Sequence, residues 1–131
     1  MLSKKIIEDG IMPPVSDRIY SNQGNSPLID LLDKDCKRLL DIGCGAGDNA
    51  ELLKSKNTEC DVFGITYSAV EAELAEKHMT QCWVFDIESE IPADLNHQSF
   101  DVLIFSHILE HVRDPAVVLA HFSRLLRRGG V

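Results

Sequence analysis

This chain lacks any apolar run approaching the ~18–20 residues that a membrane span requires. Its opening, Met1-Leu2-Ser3-Lys4-Lys5-Ile6-Ile7-Glu8-Asp9, has no signal-peptide core, because acids interrupt it within a few residues. Both absences predict a cytoplasmic, unanchored protein. There is no C-x-x-C pair either. Cys36, Cys44, Cys60 and Cys82 are scattered, and two lie in apolar runs where a free thiol behaves as a small buried hydrophobe, which fits a reducing compartment. Basic residues are scarce: 13 Lys+Arg against 21 Asp+Glu leave a formal net charge of −8. That excess repels phosphate backbones and anionic head groups, so neither nucleic acid nor a membrane surface is expected as a partner. The one basic gathering, Arg124, Arg127 and Arg128, falls at a predicted helix end, where it complements the negative end of the helix dipole. Internal repeats and low-complexity tracts are absent as well.

What is present is a rhythm. At 131 residues with 44% hydrophobic content, the chain has the size of one domain. An irregular stretch from Gly10 to Ser26 is followed by Ser26-Pro27, a cap and then a first-turn proline, which predicts a helix to about Asp35 with Leu28, Ile29, Leu31 and Leu32 on its apolar face. Strands are predicted at Arg38 to Ile42, Cys60 to Thr66, Gln81 to Asp86 and Phe100 to Phe105. Helices are predicted at Asn49 to Lys56, from Ser68 to about Met79, and from Asp114-Pro115 to Arg128, with a loop over Glu88 to Gln98. Ser68 and Glu71 are spaced as a capping box. This alternation predicts an α/β fold: a doubly wound, Rossmann-like, mostly parallel sheet with helices on both faces. Residues 1–36 read as an N-terminal helical or lid segment and residues 37–131 as the sheet domain. Ligands of such sheets bind at the carboxyl ends of the strands, where strand order reverses.

Three clusters lie just after strands. The first is Asp41-Ile42-Gly43-Cys44-Gly45-Ala46-Gly47, whose alternate glycines let the chain turn sharply and let a ligand lie against bare backbone. It does not match the dinucleotide fingerprint G-x-G-x-x-G: the third glycine comes one residue early, and Asp48 would repel a pyrophosphate at the helix N-terminus. No Gly-Lys-Ser/Thr follows, which excludes a P-loop. An ordinary glycine-rich turn is the plain alternative.

The run Leu39 to Gly47 resembles the first motif of the class I S-adenosylmethionine-dependent methyltransferases. Phe63 to Ser68, Phe85 to Ile87, Ser99 to Ser106 and Leu125 to Val131 are similar to that family's second, third, fourth and fifth strand landmarks. The stretch Leu109 to Pro115 looks like one in its small ubiquinone-biosynthesis and methionine-biosynthesis-protein type members. The resemblance implies S-adenosyl-L-methionine as cofactor, methyl transfer to a small-molecule O, N or C acceptor, and a cofactor site of Asp41, Gly43, Cys44, Gly45, Gly47, Thr66, Tyr67, Asp86, Ile87 and Ser106. In it Asp41 suits the ammonium or sulfonium side of the ligand, Asp86 accepts from the adenine amino group and Ile87 packs on the adenine face. Asp86 is otherwise a strand-end turn residue. The family usually places an acid at the end of the second strand for the ribose hydroxyls; here Thr66 stands there, with Tyr67 next. A neutral hydroxyl makes one weaker bond where a carboxylate makes two charge-assisted ones.

The third cluster is Ser106-His107-Ile108-Leu109-Glu110-His111. Under the methyltransferase reading His107 or His111 is the candidate general base, since an unperturbed imidazole titrates near neutral pH. Two histidines four apart on a predicted helix also spell H-x-x-E-H, a zinc-hydrolase pattern, although the following helix offers only His121 as a third ligand. No metal is expected. Both residues can also be plain solvent-facing side chains. A further alternative is a cofactor-binding or interaction domain without turnover. The family's sheet has seven strands in the order 3-2-1-4-5-7-6, and Val131 falls where the fifth begins. The length therefore reads as an incomplete domain, with Tyr20 to Asn25 as a candidate lid. The fourth strand reads as an exposed apolar edge through which a homodimer is expected.

Overall fold

The computed structural model describes residues 24–56 and 59–131; most of the candidate lid, Tyr20 to Gln23, lies outside them. Four strands, β1 (Arg38–Ile42), β2 (Asp61–Thr66), β3 (Gln81–Val84) and β4 (Val102–Phe105), form one sheet in the order β3-β2-β1-β4. All three pairings are parallel, with Asp41 opposite Gly64 and Ile104, and Gly64 opposite Cys82. From β1 the chain steps outward to β2 and β3, then returns to place β4 on the other side of β1. The order therefore reverses at β1, and the carboxyl ends of β1 and β4 open a crevice there.

Both faces of the sheet are covered, as near-continuous apolar strands require. Leu39, Val62, Val102 and Ile104 pack with Ile29, Leu53 and Ala75 on one side. Leu40, Ile42, Phe63, Ile65 and Trp83 pack with Leu95, Phe100, Val118 and Phe122 on the other. The helices are α1 (Ser26–Asp30), α2 (Asp48–Lys56), α3 (Ala69–Ala75), α4 (Ala93–Asn96) and α5 (Pro115–Ser123). No helix among the described residues is long and apolar enough to cross a membrane.

Several boundaries differ from the sequence expectation for local reasons. The cap of α1 is Asn25, not Ser26: its side chain accepts the Leu28 N–H at 3.2 Å. That helix stops at Asp30, leaving Leu31 82% exposed, because Asp33 takes the Asp35 N–H into a turn. Strand β4 starts two residues later than expected, and α5 ends five residues earlier. The reason is one pairing: Phe100 forms a parallel bridge with Leu126, donating to Leu125 O and accepting from Arg127 N, so residues 125–127 leave the helix. Arg127 therefore pairs with Asp101 rather than with a helix terminus. The expected loop contains α4, tied to β3 by Trp83 Nε1 donating to Asp94 at 2.8 Å. Outside β4, Val131 donates to Asp101 O and accepts from Leu103 N, the parallel pattern, so it covers the start of the edge that the sequence reading left bare.

The scattered cysteines form two buried pairs: Cys36 and Cys60 with sulfurs 3.2 Å apart, and Cys44 and Cys82 at 3.6 Å. Gly64 makes room for the second pair, since a Cβ there would stand 2.7 Å from Cys44 Sγ.

Candidate active site

The glycine turn leaves β1 through three residues in the left-handed region, Gly43 (φ 82°), Gly45 (φ 55°) and Gly47 (φ 91°). Its start is pinned to β2, because the N–H groups of Gly43 and Cys44 both donate to Ile65 O, at 2.9 and 2.8 Å. A Cβ at Gly47 would meet Ala75 Cα at 2.9 Å, so glycine is what lets the turn lie on α3.

Beside this turn, across the carboxyl ends of β1, β2 and β3, lies a cleft of about 220 Å³. Its walls are Gly43, Ile65, Thr66, Tyr67, Phe85, Ile87, Ile108 and Val112, with Asp86, Glu88 and His111 as its charged or titratable members. None of these lining residues is Lys or Arg. Asp86 Oδ1 accepts the Glu88 N–H at 2.9 Å, an Asx turn that fixes the carboxylate at the cleft rim, so the plain turn role is realised there.

Of the residues expected in the cofactor site, Gly43, Thr66, Tyr67, Asp86 and Ile87 line this cleft, and His111 joins them. Asp41 lies beneath the turn, fully buried; among the described residues it accepts from Asn49 Nδ2 at 3.3 Å, and its Oδ1 has no hydrogen-bond partner there. Burial pushes its carboxyl up to about 7, against a smaller lowering by the Asn49 bond. Asn49 Oδ1 accepts the Asn25 N–H at 2.7 Å, and Asn25 Nδ2 donates to Ser106 Oγ at 3.1 Å. A polar chain thus runs under the glycine turn from β1 to the end of β4, and it holds Ser106 there. The Cys44 thiol, in the turn itself, is pushed well up by its bond with Cys82, by burial, and by the charges of Cys82, Asp41 and Glu71.

Thr66 Oγ1 donates to Glu71 Oε1 at 3.0 Å and accepts the Ser68 N–H at 3.2 Å, while Ser68 Oγ accepts the Glu71 N–H. The capping box thus forms in its serine half, with the glutamate carboxylate turned to Thr66. Sequence reasoning found no role for Glu71 beyond the cap. It also missed Ile65, Phe85, Ile108 and Val112, whose only signal was apolarity next to strand ends.

The stretch after β4 is not the helix that H-x-x-E-H requires. His107 sits at φ 57°, outside any helix, and residues Leu109–His111 make a single 3₁₀ turn. Glu110 Oε1 stands 4.0 Å from His107 Nδ1 and 3.8 Å from His111 Nε2, with all three side chains more than half exposed. Among the described residues no group of three or more His, Cys, Asp or Glu side chains could hold a metal ion, and the pattern is not on a helix, so nothing here supports the zinc-hydrolase reading.

Residues 40–131 match the methyltransferase-domain family. Curated relatives include the ubiquinone biosynthesis O-methyltransferases of Paracidovorax citrulli, 33% identical over 99 residues, and of Methylococcus capsulatus, 35% identical over 98. These alignments cover 72% of this chain but only 41% and 40% of the relatives, so the chain spans less than half of their length. Among solved structures, a coclaurine N-methyltransferase bound to N-methylheliamine and SAH superposes with a TM-score of 0.66 at 19% identity, covering 88% of this chain and 38% of that one. The plantazolicin methyltransferase BpumL in complex with SAH gives 0.60 at 22%, covering 76% and 39%. Parallel order, switch point, glycine turn and matched sequence agree: the chain belongs to the methyltransferase-domain family, with the Rossmann-like fold of the class I S-adenosylmethionine-dependent methyltransferases.

Proposed function

We propose that the chain forms the cofactor-binding part of an S-adenosylmethionine-dependent methyltransferase acting on a small molecule, with an oxygen acceptor favoured by its curated relatives. One observation carries the reading. The cleft beside the glycine turn is apolar, holds the carboxylates of Asp86 and Glu88, and has no Lys or Arg among the described residues that line it. A phosphate-bearing dinucleotide would find two repelling acids and no basic partner there. S-adenosylmethionine has no phosphate and a net charge near +1, so the same lining suits it. The orphaned, buried Oδ1 of Asp41 under the turn is a further fit, as it leaves an acceptor uncommitted on the side where an ammonium would lie.

When bound, the cofactor supplies a methyl group on a sulfonium, an already activated leaving group. What the protein contributes is placement and exclusion of water. The Gly43 backbone and Ile108 close one wall of the cleft, Phe85 and Ile87 offer apolar faces for a flat ring, and Asp86 stands at the rim for a ring amino group. His111 lines the cleft and His107 does not, which makes His111 the better placed base for a hydroxyl acceptor. Glu110, 3.8 Å from its Nε2, is placed to orient it.

Calorimetric titration of the purified chain with S-adenosylhomocysteine and, separately, NAD tests the reading. Binding of the first without the second is the expected result. No response to S-adenosylhomocysteine, or equal affinity for NAD, would overturn it.

A further inference from the structure

Three sulfurs crowd one point on the sheet. Gly64 sits inside β2, and a glycine within a buried strand forfeits packing, which marks a place where something else needs the space. A Cβ on it would stand 2.7 Å from Cys44 Sγ and 2.7 Å from Met79 Sδ, so both sulfurs face the position that side chain would take. Cys82 lies opposite Gly64 on β3, with its Sγ 3.6 Å from Cys44 Sγ. The three residues come from the glycine turn, from the segment between α3 and β3, and from β3 itself. Each is less than a tenth exposed. The thiols' contacts with carbonyl oxygens are long, 3.4 Å from Cys44 to Gly45 O and 3.9 Å from Cys82 to Trp83 O.

We propose that Cys44, Met79 and Cys82 form a binding site for one soft monovalent metal ion, copper(I) in type, beneath the glycine turn. Thiolate and thioether donors select such an ion over those that favour oxygen ligands. At a metal–sulfur distance of about 2.3 Å, sulfurs 3.6 Å apart subtend about 103° at a shared ion, far from linear, so a third ligand has room. The flexible Met79 thioether supplies it. Binding releases at least one thiol proton to solvent, and the ion with one thiolate is then neutral, which an apolar pocket accepts. The Cys44 thiol is pushed well up by its bond with Cys82, by burial, and by the charges of Cys82, Asp41 and Glu71, and that negative potential favours a cation at the same spot. The bound ion ties the glycine turn to β3 and to the chain leaving α3. None of its three ligands lines the cofactor cleft, so the assignment stands apart from the methyltransferase reading.

The test titrates the reduced, purified chain, without oxygen, with copper(I) held by bathocuproine disulfonate, whose absorbance reports the copper it gives up. The chain should take up copper one to one, show three sulfur neighbours in X-ray absorption at the copper edge, and melt at a higher temperature when loaded. A chain that takes none, a copper with two sulfurs or with nitrogen or oxygen neighbours, or equal affinity of the urea-unfolded chain overturns the site. Met79→Leu nearly conserves core volume. It should weaken copper binding at least ~10-fold and reduce the shell to two sulfurs; unchanged affinity and an unchanged shell refute the proposal. Cys82→Ala should abolish tight binding, whereas Cys36→Ala, at the other thiol pair, should leave it within about twofold. The reverse pattern places the copper between Cys36 and Cys60 and overturns the assignment. Where Met79→Leu or Cys82→Ala fails to fold, Cys36→Ala decides: a three-sulfur shell retained there supports the site, and loss of the copper refutes it.

Discussion

Asp41 makes the fold of the ligand-free protein sensitive to pH in a way that can be isolated. Its carboxyl is fully buried on β1 and has, among the described residues, one hydrogen bond, from Asn49; burial penalises the anion and pushes the carboxyl up from 3.8 to about 7. A carboxyl with a raised folded-state pKa binds its proton more tightly in the native than in the unfolded chain. Its contribution is therefore most favourable below about 3.8 and declines as pH rises toward 7, with no further change above that. Across the whole window the loss is about 4 kcal/mol, and between pH 5.5 and 8, clear of the sequence pI of about 5.0, it is about 2 kcal/mol. Asp41→Asn removes the titration. The new amide can still accept from Asn49 but leaves an unpartnered N–H₂, costing about 1–3 kcal/mol. That cost is the same at every pH, so slope, not level, is diagnostic. Urea unfolding at pH 5.5 and 8 should show the original protein losing about 2 kcal/mol more than the variant over that interval. Parallel pH profiles would refute the placement of a buried, protonatable acid under the glycine turn.

Gly47→Ala should destabilise the fold by about 3 kcal/mol in urea, since it combines a positive φ with a Cβ placed 2.9 Å from Ala75 Cα; a change under about 0.5 kcal/mol would contradict that contact. Asn25→Ala removes both the α1 cap and the bond to Ser106 Oγ, and a loss of about 1–2 kcal/mol by the same measurement is expected, with weaker S-adenosylhomocysteine binding. Cys36 and Cys60, with sulfurs 3.2 Å apart and the Cys36 thiol held below its usual range by the Cys60 bond, should be the first pair to oxidise with oxidised glutathione. That step yields one disulfide and two reduced glutathiones. Non-reducing peptide mapping should find this pair linked, with added stability of about 3 kcal/mol from the closed loop. In a methyl-transfer assay on a hydroxyl acceptor, His111→Ala should lower turnover ~100-fold or more while His107→Ala leaves it within a few-fold; the reverse order would move the base out of the cleft.

The parallel sheet was legible because each strand is a short apolar run followed by a breaker and a helix, and that alternation permits few topologies. The glycine turn was legible because its residues are consecutive. What escaped was everything made by contact between distant positions. The end of α5 is set by Phe100 pairing with Leu126, twenty-six residues away, and no local propensity announces that. The cysteine pairs depend on register: Gly64 lies opposite Cys82 and under Cys44, so two thiols 38 residues apart meet over a missing side chain. The helix that H-x-x-E-H needs did not form, because five residues of suitable spacing do not make a helix where the backbone leaves a strand through a left-handed residue. Glu71 was hidden by a local motif that explained it too well, since its serine partner does form the cap.

The same contacts show why a fold widely used for phosphate-bearing ligands can carry a net charge of −8. In dinucleotide sites the turn after the first strand faces an anion, and nearby acids are confined to the ribose. Here Asp86 and Glu88 line the cleft, Glu71 accepts from Thr66, which lines it too, and Asp41 is buried on β1 just before the glycine turn. Two of the four, Asp41 and Glu71, are buried. A cationic ligand turns that arrangement from a liability into complementarity. Replacing the buried acids one at a time by their amides should therefore weaken a cationic nucleoside such as S-adenosylmethionine more than neutral 5′-methylthioadenosine. If the two ligands weaken alike, the acids serve the fold and not the ligand's charge.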